Sequence, residues 1–119
     1  MNMITIYHNP RCSKSREALA LTQQFADANH LTIETIDYLK TPPTLAQLTV
    51  IAQQLNGAVR ELVRDNEEEY AELGLDKAND ATLLQAIADH PKLLQRPVIV
   101  YRNRAVIGRP PERVHELLK

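Results

Sequence analysis

Two short β-prone runs, residues 3–7 (MITIY) and 31–38 (LTIETIDY), flank a stretch in which Ala18, Leu19, Leu21, Thr22 and Phe25 recur at helical spacing. The first run is stopped by Asn9-Pro10, and from Ser13 onward Lys14, Arg16, Glu17 and Gln23 are free to face outward. Strand, helix and strand in that order make a βαβ unit, whose two strands share a sheet and run parallel.

Thr41-Pro42-Pro43-Thr44 breaks the chain, and Thr44 is placed to cap a helix carrying Leu48, Ile51, Ala52 and Leu55, which Asn56-Gly57 ends. A short helix from Val59 to about Arg64, an acidic surface stretch through Glu72 and a helix over 80–89 with Leu83, Leu84, Ile87 and Ala88 follow. The last third changes character. Val98-Ile99-Val100-Tyr101, a turn at Arg102-Asn103 and Arg104-Ala105-Val106-Ile107 read as a hairpin, and Gly108-Arg109-Pro110-Pro111 leads into a final helix with Val114, Leu117 and Leu118 inward. The order is βαβ, a helical insertion over about 44–90, then ββα. That is the order of a thioredoxin-like α/β fold with extra helices between its halves. With 119 residues, 44% of them hydrophobic, the chain is expected to form one domain, 1–119, around one main core.

Fourteen Lys and Arg stand against fifteen Asp and Glu, a net charge of −1, so no basic field calls for a nucleic-acid partner. The longest apolar run, residues 97–101, is far short of the ~18 residues of a membrane span, and a cytoplasmic monomer is expected. His8, His30, His90 and His115 lack paired ligand spacing, so neither a metal nor a bound cofactor is expected.

The chain has one cysteine, Cys12, which cannot close an internal disulfide. Its neighbours, Pro10, Arg11, Ser13, Lys14, Ser15 and Arg16, offer no apolar packing, and it falls at or just before a helix N-terminus. Free N–H groups there, the cations Arg11, Lys14 and Arg16, and a hydroxyl at Ser15 able to donate to sulfur would each favour the reactive thiolate. His8 admits two readings, electrostatic support for the thiolate or a plain loop histidine. The pattern CxxS is a dithiol motif with the second cysteine replaced by Ser15. Any resolving thiol must therefore arrive on another molecule. Pro97, just before the third strand, is expected to follow a cis bond and to lie beside the cysteine.

Six blocks in order resemble the glutaredoxin-coupled arsenate reductase (ArsC-like) family over essentially the whole chain. "YHNPxCxxSR" stands at Tyr7 to Arg16, "YLxTPP" at Tyr38 to Pro43, "RxLxR" at Arg60 to Arg64, "YxELGL" at Tyr70 to Leu75, "HPxLxxRPxV" at His90 to Val98 and "GRP" at Gly108 to Pro110. The resemblance implies that Cys12 attacks arsenic and that Arg64, Arg96 and Arg109 surround the anion; His8, Ser15 and Pro97 stand beside them as supporting candidates read from the residues themselves. The resemblance further implies glutathione as co-substrate and glutaredoxin as the partner that resolves the mixed disulfide. Arginine suits a tetrahedral oxyanion better than lysine because its planar fork fixes the donor geometry. The chain departs from the best-known reductases of the family at Ser13 and Lys14, where they carry glycine and threonine. Two other readings compete: a glutathione-dependent thiol oxidoreductase acting on another substrate, and a non-enzymatic regulator or adaptor. The arginine trio separates them, since an anion enzyme needs it and an adaptor does not.

Overall fold

A computed structural model describes residues 3–118. Four strands, β1 (Met3–His8), β2 (Thr32–Asp37), β3 (Val98–Tyr101) and β4 (Arg104–Ile107), form one sheet in the order β2-β1-β3-β4. β1 and β2 are parallel, with His8 opposite Asp37, while β3 runs antiparallel to both β1 and β4. The parallel opening and the closing hairpin are those read from the sequence, and the fold is thioredoxin-like. Arg102 and Asn103 both take positive φ, 51° and 64°, which matches the twist that a two-residue hairpin turn requires.

Helix α1 (Ser13–Asn29) bridges β1 and β2 and lies on one face of the sheet. Ala18 and Ala26 on α1 meet Ile4 and Ile6 of β1, Ile99 of β3, and Val114, Leu117 and Leu118 near the C-terminus. The other face carries α2 (Leu45–Gln54) and α4 (Asp80–Asp89), whose Leu48, Ile51, Leu83 and Ile87 pack with Tyr7, Tyr38, Val98 and Ile107. Alternation along β1 and β3 thus divides the sheet between two apolar clusters.

The helices begin where local chemistry satisfies their first N–H groups. Thr44 forms a reciprocal capping box with Gln47, as its position predicts, and the Asn79 side chain accepts from the Thr82 N–H at 2.8 Å. Three expected elements differ in kind. The helix expected from Val59 to about Arg64 is a 3-10 turn over Val59–Leu62, so Arg64 lies beyond it and not on a helix. The stretch read as acidic surface contains a one-turn helix, α3 (Glu68–Glu72). The final helix is a 3-10 turn, Pro111–Glu116, entered through Pro110 and Pro111.

Candidate active site

Cys12 is the N-cap of α1, in extended conformation (φ −97°, ψ 122°) and partly exposed. The loop holding it is tied from several sides. Cys12 N–H donates to Asn9 O at 3.0 Å, Asn9 Oδ1 accepts from Arg11 N–H at 3.0 Å, and Arg16 Nη1 donates to Pro10 O at 3.0 Å. His8 Nδ1 and Ser15 Oγ share a 2.7 Å hydrogen bond, and Ser15 Oγ also accepts from Asn9 N–H.

These contacts revise the expected support for the thiolate. The Ser15 hydroxyl is engaged by His8 and Asn9 and is not the donor to sulfur; the Ser15 backbone N–H favours the anion instead. His8 is the last residue of β1, is 6% exposed, and is held toward its neutral form mainly by burial. Its hydrogen bond to Ser15 fastens the loop. Arg11 and Lys14 are exposed, and the Arg16 guanidinium is spent on the loop carbonyl.

The cations that face sulfur come from the far end of the chain. Arg109 Nη1 lies 3.7 Å from Cys12 Sγ and 3.4 Å from the carbonyl oxygen of Arg96. Burial pushes the Cys12 thiol up, but the Ser15 N–H, Arg96 and Arg109 together outweigh it, and its pKa is lowered. Both arginines precede prolines in cis linkage, Arg96-Pro97 and Arg109-Pro110, the first as expected.

Arg64 joins them through a contact between two remote segments. Val63 and Leu94 form an isolated antiparallel bridge, flanked by Arg64 N–H to Leu93 O at 2.8 Å and Gln95 N–H to Leu62 O at 2.7 Å. This clamp fastens the segment before Arg96 to the one that ends at Arg64. Arg64 has its pKa lowered by burial and by the nearby charges of Arg96 and Arg109, with Glu67 opposing. The three arginines are in different states. Arg109 holds sulfur and a carbonyl, Arg64 is paired with Glu67 at 2.9 Å, and the Nε and Nη1 of Arg96 are buried with no hydrogen-bond partner among the described residues. Buried guanidinium nitrogens with free donors are costly unless an anion completes them, and several such donors beside a thiolate suit an oxyanion.

The sequence profile of the ArsC family matches residues 7–117. The chain belongs to the ArsC family. An arsenate reductase of Neisseria meningitidis is 43% identical over 121 residues, covering 99% of this chain and all of that one. An arsenate reductase of Escherichia coli K12 is 41% identical, covering 99% of this chain and 82% of its own length. A solved structure of an arsenate reductase from Vibrio cholerae superposes with a TM-score of 0.86 at 44% identity, covering 98% of each chain.

Two residues of this ArsC site escape a reading of the sequence. Tyr38, 1% exposed, follows β2, whose parallel register with β1 brings it alongside Asn9. Burial holds its phenol above the ordinary value against the opposing charge of Arg96, the Asn9 amide and Arg64, so it is a neutral hydroxyl at this site. The signal for it was the parallel pairing itself, which places the residue after one strand beside the residue after the other. Glu67 had no such signal, standing in an acidic run with nothing to single it out. Among the described residues no group of three or more His, Cys, Asp or Glu side chains is placed to hold a metal, and no helix is long and apolar enough to cross a membrane.

Proposed function

We propose that this ArsC protein reduces arsenate to arsenite, with glutathione as co-substrate and glutaredoxin as the partner that restores the enzyme. The observation that carries the reading is the Cys12 sulfur at 3.7 Å from Arg109 Nη1, beside the buried and unpartnered donors of Arg96. In this reading the Cys12 thiolate attacks arsenic. A sulfur–arsenic bond forms, one arsenic–oxygen bond breaks, and the oxygen leaves as hydroxide that solvent protonates. Arg96, Arg109 and Arg64 hold the remaining oxygens, and donors of this kind contribute about 3–4 kcal/mol each where charge develops.

Reduction needs a second thiol, which this chain lacks. The glutathione thiolate attacks Cys12 sulfur, a disulfide bond forms, the sulfur–arsenic bond breaks and its electron pair stays on arsenic. Pentavalent arsenic becomes trivalent as two thiol sulfurs become a disulfide. Glutaredoxin then removes glutathione from Cys12 by thiol–disulfide exchange. A cleft of about 260 Å³ lined by Asn9, Pro10, Arg11, Asp37, Leu39 and Lys40 borders the cysteine loop. Its mixed charges suit a small peptide carrying both carboxylates and an amine, which supports glutathione as the thiol. Such chemistry fits a monomer in the cytoplasm, where thiols are kept reduced.

The test is a coupled assay in which arsenate-dependent NADPH oxidation is followed with glutathione reductase, glutathione and glutaredoxin. Turnover is expected there, with inhibition by phosphate, little turnover with a thioredoxin system alone, and none for Cys12→Ser. Absence of arsenate-dependent NADPH oxidation overturns the assignment. Equal turnover with thioredoxin alone overturns the glutaredoxin coupling.

A further inference from the structure

Glu67 sits three residues beyond Arg64, and its Oε1 accepts from Arg64 Nη1 at 2.9 Å. Both side chains are partly buried, 19% and 27% exposed, so water screens the pair less than it would on an open surface. Local structure presents the carboxylate there. Glu67 is the extended N-cap of α3, and its own carbonyl accepts from Tyr70 N–H at 3.1 Å, fixing the backbone of the turn. The Val63–Leu94 bridge fixes the other partner.

The contrast with Arg96 gives this pair its meaning. Arg96 has two buried donors with no partner, whereas the third arginine of the cradle already holds a carboxylate oxygen. A carboxylate oxygen on a guanidinium occupies the place that an oxygen of a tetrahedral anion would take. The charges tell the same story: three guanidinium groups, one thiolate and one carboxylate leave a single positive charge facing a doubly charged substrate. Removing the carboxylate charge would leave two.

We infer that Glu67 is an internal counter-ion of the cradle, a carboxylate that occupies Arg64 in the empty site and yields it to an oxygen of the bound oxyanion, thereby weakening anion binding. The inference rests on the oxyanion reading of the site proposed above. It also assigns a role after reduction. Arsenous acid is uncharged at neutral pH and cannot hold Arg64 against Glu67, so the carboxylate retakes the arginine as product leaves. Glu67 thus discriminates by charge between what enters and what departs. It acts on the anion through Arg64 and is a positioning residue.

The experiment measures how inorganic phosphate protects Cys12 from iodoacetamide in the wild type, E67Q, E68Q, R64A and the double variant R64A/E67Q. Glutamine keeps an acceptor for Arg64 but removes the charge. Glu68 is exposed and next in sequence, so E68Q makes the same change in net charge away from that contact. Half-protection by phosphate is expected at about three- to tenfold lower concentration in E67Q, with E68Q within about twofold of wild type. In the R64A background the E67Q gain is expected to shrink to the smaller part that net charge alone gives, because the arginine that transmits the rest is gone. E67Q matching E68Q, E67Q binding phosphate more weakly, or an E67Q gain undiminished without Arg64 would each overturn the inference. If phosphate gives the wild type no protection, the oxyanion reading itself fails. That failure is visible before any variant is compared.

Discussion

Gly108→Ala tests what holds the two ends of the site together. Gly108 follows β4, its N–H donates to Pro97 O at 2.9 Å, and it lies between the residues that carry Arg96 and Arg109. A Cβ added there would stand 3.0 Å from Pro97 Cγ, 3.1 Å from Ala18 Cβ and 3.1 Å from Ile99 Cδ1. Three walls close in at once, and two have little freedom: Ala18 is fixed to α1, and the Pro97 ring is buried. Overpacking of this kind costs about 1–3 kcal/mol. Alanine returns part of that, about 0.4–1 kcal/mol, by narrowing the unfolded ensemble. A net loss near 1.5 kcal/mol is expected. With an unfolding entropy of about 2.1 cal/mol/K per residue, 119 residues give roughly 4 °C per kcal/mol, hence a Tm lower by about 6 °C. Differential scanning calorimetry reads this directly. The same displacement moves Pro97 and with it Arg96, so phosphate protection of Cys12 should weaken in the folded variant. An unchanged or raised Tm would refute the claim that close packing at Gly108 sets the position of Arg96.

Two further predictions concern the thiolate and the arginines. The rate of Cys12 alkylation against pH should reach half its maximum at lower pH in the native protein than in the denaturant-unfolded chain, because the Ser15 N–H, Arg96 and Arg109 outweigh burial. The sign for stability follows. A thiol whose folded pKa is depressed contributes stability above its unfolded pKa, and loses it as pH falls through the folded value. Equal midpoints in the two states would show that the folded site does not activate Cys12. In the coupled assay, Arg96→Ala and Arg109→Ala should each lower kcat/KM by about 2–4 kcal/mol of transition-state stabilisation. Arg102→Ala, which removes an exposed guanidinium 5.2 Å from the Tyr101 ring, should leave the rate near wild type. Equal damage from Arg102→Ala would move the anion site elsewhere.

What the sequence made legible was whatever depends on neighbours along the chain. The β-prone runs around an amphipathic helix gave a parallel pair, Thr44 gave its cap, and Arg102-Asn103 gave the hairpin turn, each by local backbone chemistry. The position of Cys12 at the start of α1 was legible for the same reason. Its electrostatic partners were not legible from local chemistry and came only with the family resemblance. Arg11 and Lys14 are near in sequence but exposed and Arg16 holds the loop, while the cations that face sulfur are eighty or more residues on. They arrive because β3 pairs antiparallel with β1, setting Arg96 beside the mouth of the cysteine loop, and because β4 returns Arg109 to the same end. Arg64 depends on the Val63–Leu94 bridge, a single pairing between residues that each follow a 3-10 turn, Val59–Leu62 and Pro91–Leu93, and that no periodicity announces. A thiolate at the start of a helix is therefore only half of the site. The other half is assembled by sheet topology, and in the proposed reading it lets one cysteine with no internal partner face an anion held by three remote arginines.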